Sequence, residues 1–303
     1  MGIPTGLKLR HIEAFLSVAQ KGTISAAARA RSVSQPALSK TIGELESLLD
    51  TPLFERTGRR ALLTSAGESF RAHALAALQS LEAGVRDLSG KSTVGLVKVG
   101  VLPTVAGGFF PSVALDYLRA QQDARIGIIT GPNRYLLEML RSGGIDLMVG
   151  RMPSAKDMPG FSFEHLYDEP VLLVARADHP ALDMPAPKAL TEYPMIAPNP
   201  GAIIRRTVDQ YLAAQGLSGL VPVFETVALP AALSLLEQSD MLWFISRGVV
   251  ERELRQGTLA ALDLKSDFMA GAVGITRKFA FSENSPADLL ARLLHRRAAA
   301  MAR

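Results

Sequence analysis

The chain has no cysteine in its 303 residues. A disulfide framework, a thiolate metal site and a cysteine nucleophile are therefore excluded. It also lacks any apolar run approaching the ~18 residues that a membrane span requires. The opening stretch Met1-Gly2-Ile3-Pro4-Thr5 has no charged segment followed by an apolar one, so a secretory signal is not expected and a cytoplasmic protein is the default. Histidine is scarce: His11, His73, His165, His179 and His295 are all there is, and none falls in His-x-x-x-His spacing. Neither a Gly-x-Ser-x-Gly elbow nor a Gly-x-x-x-x-Gly-Lys-Ser phosphate loop occurs. His11, on a first helix, and His179, before Pro180 in a turn, are expected in solvated or capping roles. These absences argue against an enzyme and against a metal or organic cofactor.

What is present is a 48% hydrophobic composition, enough for full cores, and a length that suits two domains of roughly 150 residues each. The formal net charge of +4 is unevenly placed. Residues 1–60 hold nine Lys and Arg against five Asp and Glu, so that segment carries the whole excess and residues 61–303 balance. A basic head on a neutral body is the pattern of a nucleic-acid reader with a separate second function.

The head reads as a winged helix-turn-helix. Leu9, Ile12, Phe15, Leu16 and Ala19 are spaced to form the apolar face of a helix that Gly22 ends. Residues 25–31 form a short alanine-rich helix, with Thr23 and Ser25 both able to cap it. Ser34 caps a third helix, with Gln35 and Pro36 in its first turn and Val33 and Leu38 placed as a hydrophobic staple. Leu38, Ile42, Leu45 and Leu49 step by 4, 3 and 4 toward the core, which turns Gln35, Pro36, Ser39, Lys40 and Gly43 outward. Such a polar, lightly basic N-terminal half suits the major groove. Gln35 can pair bidentately with adenine, Ser39 can reach a base or a phosphate, and Lys40 suits a phosphate. Leu53-Phe54 and Ala61-Leu62-Leu63 then read as strands about a Thr57-Gly58 turn, with Arg56, Arg59 and Arg60 at the tip. Three arginines on a hairpin fit phosphate or minor-groove contact.

Leu7 to Gly67 resembles the DNA-binding domain of LysR-type transcriptional regulators. The resemblance is carried by the alanine-rich second helix, Ser34-Gln35-Pro36-Ala37-Leu38-Ser39, Leu45-Glu46, Leu53-Phe54-Glu55-Arg56, and Leu63-Thr64 with Gly67. It implies that Gln35, Pro36, Ser39, Lys40 and Arg59 meet DNA; Thr23, Ser25, Ser34, Arg56 and Arg60 complete the expected DNA-binding set. Two departures bear on target preference. Lys40 replaces a common arginine and loses its fork. Gly43 replaces a usual basic residue, at a helix cost of about 1 kcal/mol against alanine.

Residues 64–90 contain no proline and read as a connecting helix with Leu78, Leu81, Val85 and Leu88 as its seam. The family resemblance favours dimerisation through it. From residue 94 onward, strands and helices alternate, which means α/β layers with largely parallel sheets. Strands are expected at 94–101, 125–130, 146–150, 170–176, 195–197, 221–226, 241–245 and 271–276. Long crossing segments near 161–176 and 266–278 suggest two lobes joined by two strands. The resemblance extends here, to the family's effector domain, which looks like a periplasmic binding protein. The expected organisation is a winged helix-turn-helix at 1–64, a linker helix at 65–90 and a two-lobed α/β effector domain at 91–303. Lobe I would take about 94–164 and 272–303, and lobe II about 165–271.

Ligands in such sheets sit beyond the carboxyl ends of strands. The expected effector site therefore gathers Leu102, Pro103, Thr104 and Val105 at a helix mouth, Thr130 and Gly131, Gly150 and Arg151, Asn199 and Pro200, and Phe244 and Ser246. Glycines and hydroxyls at helix mouths suit a small carboxylate. Arg151 has two open roles, as a partner for a ligand carboxylate or for an internal acid such as Asp146; Arg205 and Arg206 read as solvated helix charge. Residues 150–167 and 242–250 resemble the subgroup that regulates protocatechuate catabolism or sugar-binding proteins, which implies an aromatic-pathway carboxylate or a sugar as inducer.

The sequence thus points to a regulator that binds double-stranded DNA and a small-molecule effector, as a homo-oligomer, with a dimer of dimers expected. Closure of the lobes on the effector would shift the angle between subunits and change DNA bending. RNA polymerase is a further candidate partner; a membrane is not. The other reading is a solute-binding-type sensor with only non-specific DNA affinity.

Overall fold

A computed structural model describes residues 3–57, 60–88, 96–279 and 285–301. The chain divides near residue 93 into two compact units. The first unit begins with α1 (Leu9–Lys21), α2 (Ile24–Ala30) and α3 (Gln35–Leu49). Strands β1 (Phe54–Thr57) and β2 (Arg60–Leu63) then pair antiparallel with Phe54 opposite Leu63, and α4 (Ser65–Leu88) follows. Local chemistry sets the boundaries. Gly22 ends α1 at a left-handed φ of 71°, which a bare Cα adopts without strain. Thr23 caps α2 by accepting from the Ala26 amide at 3.1 Å, and Ser34 caps α3 by accepting from Ala37 at 3.3 Å. Thr64 starts α4, accepting from Gly67 N and donating to the Pro52 carbonyl, both at 2.9 Å.

The core of this unit follows the expected stepping on α3, where Leu38, Ile42 and Leu45 are buried. On α1 it does not. The buried face is His11, Ala14, Phe15 and Val18, while Leu9 remains 44% exposed. His11 is thus neither solvated nor at the surface. Its Nδ1 accepts from the Lys8 amide at 3.2 Å, a capping role, and its Nε2 lies 3.4 Å from the Glu44 carboxylate. A satisfied imidazole can occupy a core position that hydrophobic spacing assigns to another residue. Of the two residues placed as a staple, Leu38 is buried and Val33 stays 45% exposed. Phe15 packs against Phe54 and Phe70 with ring centroids 5.3 and 5.1 Å apart, joining α1 to the wing and to α4. Phe70 and Ala74 serve this core, so the first half of α4 is held by its own unit. Leu78 is half-buried and Leu81 is exposed. The side chains of Val85 and Leu88 lie outside the described residues.

The second unit runs β3 (Leu96–Val101), α5 (Pro103–Ala106), α6 (Phe109–Ala120), β4 (Arg125–Ile129), α7 (Asn133–Ser142) and β5 (Leu147–Arg151). It continues with β6 (Phe161–Arg176), α8 (Ala186–Glu192), β7 (Met195–Ala197), α9 (Arg205–Ala214), β8 (Phe224–Glu225) and α10 (Leu229–Glu237). Strand β9 (Leu242–Ser246), α11 (Arg247–Gln256), β10 (Leu259–Leu262), β11 (Ala270–Lys278) and α12 (Pro286–Met301) complete it. The strands run in the order β4-β3-β5-β11-β6-β9-β7-β8, with β10 also on β6. Pairs β3–β4, β3–β5, β7–β8 and β7–β9 are parallel; the contacts of β6, β10 and β11 are antiparallel.

Strand β6 belongs to both lobes. Its residues up to Pro170 pair with β11, whereas Val171 to Val174 pair with β9. Leu166 and Tyr167 pack on the core of Val97, Val99, Phe110, Leu147 and Leu290; from Val171 onward the packing is on Ile196, Tyr211, Trp243 and Phe244. The helical segment after Pro103 is broken at Gly107-Gly108 into a four-residue α5 and the longer α6. Strand β10 is not among the expected strands. The strand expected at 221–226 shortens to Phe224–Glu225, with Val221 83% exposed at that sheet edge. No helix among the described residues is long and apolar enough to cross a membrane.

Candidate nucleic-acid interface and effector cleft

In the first unit Gln35, Pro36 and Lys40 are exposed at the start of α3, with Ser39 half-buried beside them. Ser25 is not a cap. Its hydroxyl donates to Gln35 Oε1 at 3.0 Å and orients the amide that would read a base. Thr23 and Ser34 spend their oxygens as cap acceptors, which leaves each hydroxyl proton to donate outward. Arg60 is exposed at the end of β2, with Thr57 opposite it, and the backbone of Arg56 pairs with Ala61. Arg59 lies outside the described residues. One positioning residue was missed in the sequence. Glu46 Oε1 accepts from Leu53 N at 2.8 Å and from Phe54 N at 3.0 Å, which ties the recognition helix to the root of the wing. Its signal is the Leu45-Glu46 pair, read there only as part of a pattern.

The second unit brings together three expected site residues from distant segments. Thr104 Oγ1 donates to Ser246 Oγ at 3.3 Å, and Arg151 Nε donates to the same oxygen at 3.1 Å. Arg151 Nη2 donates to the Glu169 carbonyl at 2.8 Å, and the Glu169 carboxylate accepts from the Gly248 amide. All of this is buried: Arg151 is 4% exposed, Glu169 6% and Ser246 1%. Close approach is part of the design, since a Cβ at Gly248 would collide with the Thr104 carbonyl oxygen. Burial lowers the Arg151 pKa to about 10 despite the opposing charge of Glu169. Burial likewise raises the Glu169 carboxyl above its ordinary range, against the pull of the Gly248 amide and of Arg151. Of the two roles left open for Arg151, the internal partner is Glu169; Asp146 instead accepts from the Lys98 amide at 2.7 Å. Glu169 itself could have been noticed as a carboxylate just ahead of an apolar strand half. The Thr104 loop is less open to an anion than expected, because its hydroxyl faces Ser246 and its helix is one turn long.

A cleft of about 940 Å³ opens beside this network. It is lined by Arg151, the Met152–Asp157 segment, residues 200–207, Asp209, Asn133 and residues 270–272. Among the expected effector residues, Arg151 and Pro200 line it. Thr130 is exposed and Asn199 donates to the Glu225 carbonyl at 2.9 Å, outside this lining. Leu102, Val105, Gly150, Phe244 and Ser246 lie among buried packing or in the polar network. Arg205 is not a solvated charge: it donates to the Pro198 carbonyl at 2.9 Å, Glu225 at 2.6 Å and Asp209 at 2.8 Å, and the bonds to the two carboxylates raise its pKa. Arg206 and Lys156 are exposed at the rim. The lining counts Arg151, Lys156, Arg205 and Arg206 against Asp157 and Asp209, a cationic balance. Asn133 Oδ1 is buried without a hydrogen-bond partner.

Comparison with known proteins places both units. Residues 9–68 match the model described as bacterial regulatory helix-turn-helix protein, lysR family, and residues 90–299 match the LysR substrate binding domain. The HTH-type transcriptional regulator PcaQ of Agrobacterium fabrum is 38% identical over 94% of this chain and 93% of its own length. The uncharacterised HTH-type transcriptional regulator YdcI of Escherichia coli is 34% identical over 94% of each chain. Among solved structures, a full-length OxyR variant from Pseudomonas aeruginosa superposes with a TM-score of 0.67 at 22% identity, covering 95% of this chain and 97% of the other. Full-length CbnR in complex with its target DNA gives 0.63 at 20% identity, over 96% and 100%.

Proposed function

The chain belongs to the LysR family, as a DNA-binding transcriptional regulator with an effector-binding domain, and on that premise we propose that it works as an oligomer and assign residues to each task. Gln35, oriented by Ser25, reads base edges from the exposed start of α3. Ser34, Ser39, Lys40 and Arg60 bind phosphates and set the register of that helix on the duplex. The observation that carries this reading is the Ser25–Gln35 hydrogen bond at 3.0 Å, which holds a base-reading amide outward from two adjacent elements. The effector is a small carboxylate held in the cationic cleft, and the buried Asn133 oxygen supports a hydroxyl on the same molecule. Regulation is its whole activity, in the cytoplasm, with no catalytic step.

The test is fluorescence anisotropy of the full chain on labelled DNA from its own upstream region, with random DNA as competitor. Gln35→Ala is expected to lower discrimination by about 1–3 kcal/mol, the range of a bidentate base contact. Arg60→Ala is expected to weaken binding to all sequences alike. A Gln35→Ala variant that still discriminates as the wild type does would remove Gln35 from the reading role. Equal affinity of the wild type for the labelled site and random DNA would favour the other reading, a sensor with only electrostatic DNA affinity.

A further inference from the structure

Arg151 spends Nε on Ser246 and Nη2 on the Glu169 carbonyl. Its Nη1 makes no hydrogen bond among the described residues, although the side chain is almost fully buried and lines the cleft. What faces Nη1 is Gly271 on β11, in the same lining. A Cβ at position 271 would stand 2.6 Å from Nη1, inside any contact that real side chains make. The guanidinium cannot easily retreat, because its other two nitrogens are bound to groups on β6 and at the end of β9. Its N–H groups are fixed in one plane, so holding two nitrogens also fixes the direction of the third.

Building on the effector reading above, we propose that Gly271 is a specificity-determining residue. Its bare Cα leaves Arg151 Nη1 open to the cleft, and one carboxylate oxygen of the effector docks on that buried nitrogen. Lys156 and Arg206 at the rim attract anions of any shape. The Arg151–Gly271 corner selects a planar carboxylate on a small body, because a charge-assisted hydrogen bond forms there out of water. A neutral isostere offers that one free nitrogen, Nη1, no charged acceptor. Since the same guanidinium holds Ser246 and the Glu169 carbonyl, occupancy at Nη1 bears directly on groups from both lobes.

The test uses the full chain with benzoate and 3,4-dihydroxybenzoate as carboxylate probes and benzamide as the neutral isostere, each titrated calorimetrically. The wild type is expected to bind the carboxylates at least tenfold more tightly than benzamide. Gly271→Ala is expected to lose that preference. A Gly271→Ala variant that keeps the preference overturns the proposal. If it keeps the preference but Lys156→Ala with Arg206→Ala weakens the carboxylates, the cleft reading survives. If neither substitution matters, or the wild type binds no carboxylate, the cleft reading fails as well. Should Gly271→Ala not fold, ¹⁵N-arginine labelling of the wild type decides the matter, with the Arg151 guanidinium signals assigned by their loss in Arg151→Lys. Signals that move with benzoate and not with benzamide support the proposal, and signals that stay still overturn it.

Discussion

Glu169 and Arg151 are both buried, and their meeting point is the Glu169 backbone: the guanidinium donates to its carbonyl, while its carboxylate accepts from the Gly248 amide. Glu169 also makes a pH signature. Burial raises its folded pKa above the unfolded value, so the folded state holds the proton more tightly. The destabilising effect of ionising this carboxyl is absent below the unfolded pKa and complete above the folded one. The melting temperature of wild type relative to Glu169→Gln is therefore expected to fall as pH rises through that window, and a difference constant from pH 4 to pH 8 would refute the assignment. Glu46 acts by hydrogen bonding in the head. Glu46→Ala leaves the Leu53 and Phe54 amides without their acceptor, at a cost of about 1–3 kcal/mol for each group left buried and unsatisfied. The expected result is a lower melting temperature for the head and weaker DNA binding at every sequence. Unchanged melting and affinity would show that the wing root is held by other contacts.

Helix α4 changes role along its length. Phe70 and Ala74 pack in the core of their own unit, while Leu81 presents an apolar side chain to solvent. An exposed leucine on the outer half of a long helix fits a second helix packed against it in the oligomer. Leu81→Asp is expected to shift the sedimentation equilibrium toward smaller species and to weaken DNA binding through lost avidity. A sedimentation profile identical to that of the wild type would place the contact elsewhere. The wing works at the same scale. With about five phosphate contacts per head, log K falls by roughly 0.9 per contact per decade of salt, so Arg60→Ala should reduce the slope by about 0.9 per head. A slope that does not change would mean that Arg60 never meets a phosphate.

At the scale of the whole molecule, family membership gives the chain a DNA-binding domain and an effector-binding domain, and the prediction is that they are coupled. Coupling between effector and DNA is expected at about 1–3 kcal/mol, a change of roughly 5- to 150-fold in affinity or an equivalent change in contact geometry. Anisotropy titrations with and without a bound carboxylate, together with a bending assay on the same DNA, measure it. Equal affinity and equal bending in both conditions would separate the cleft from the reading of DNA.

Much of this was legible from order alone, where one residue type meets a local requirement. Ser34 before Gln35-Pro36 starts a helix because its hydroxyl can accept from the free amides of the first turn, and Leu38, Ile42 and Leu45 face inward because 3.6 residues make a turn. The segment expected to cross between lobes near 161–176 is likewise a single strand, β6. Tertiary structure decided matters that depend on which segments meet. The core face of α1 rotates onto His11 because Glu44 and the Lys8 amide are there to satisfy the ring. Helix α5 stops after one turn where Gly107-Gly108 follows it, and its Thr104 turns to a serine 142 positions away. Arg151 was recognisable as a candidate, but its partner was not: Asp146 is near in sequence, and Glu169 and Ser246 are near in space. Local order fixes hydrogen bonds within a turn, while a buried charge is matched by whichever groups the fold carries to it.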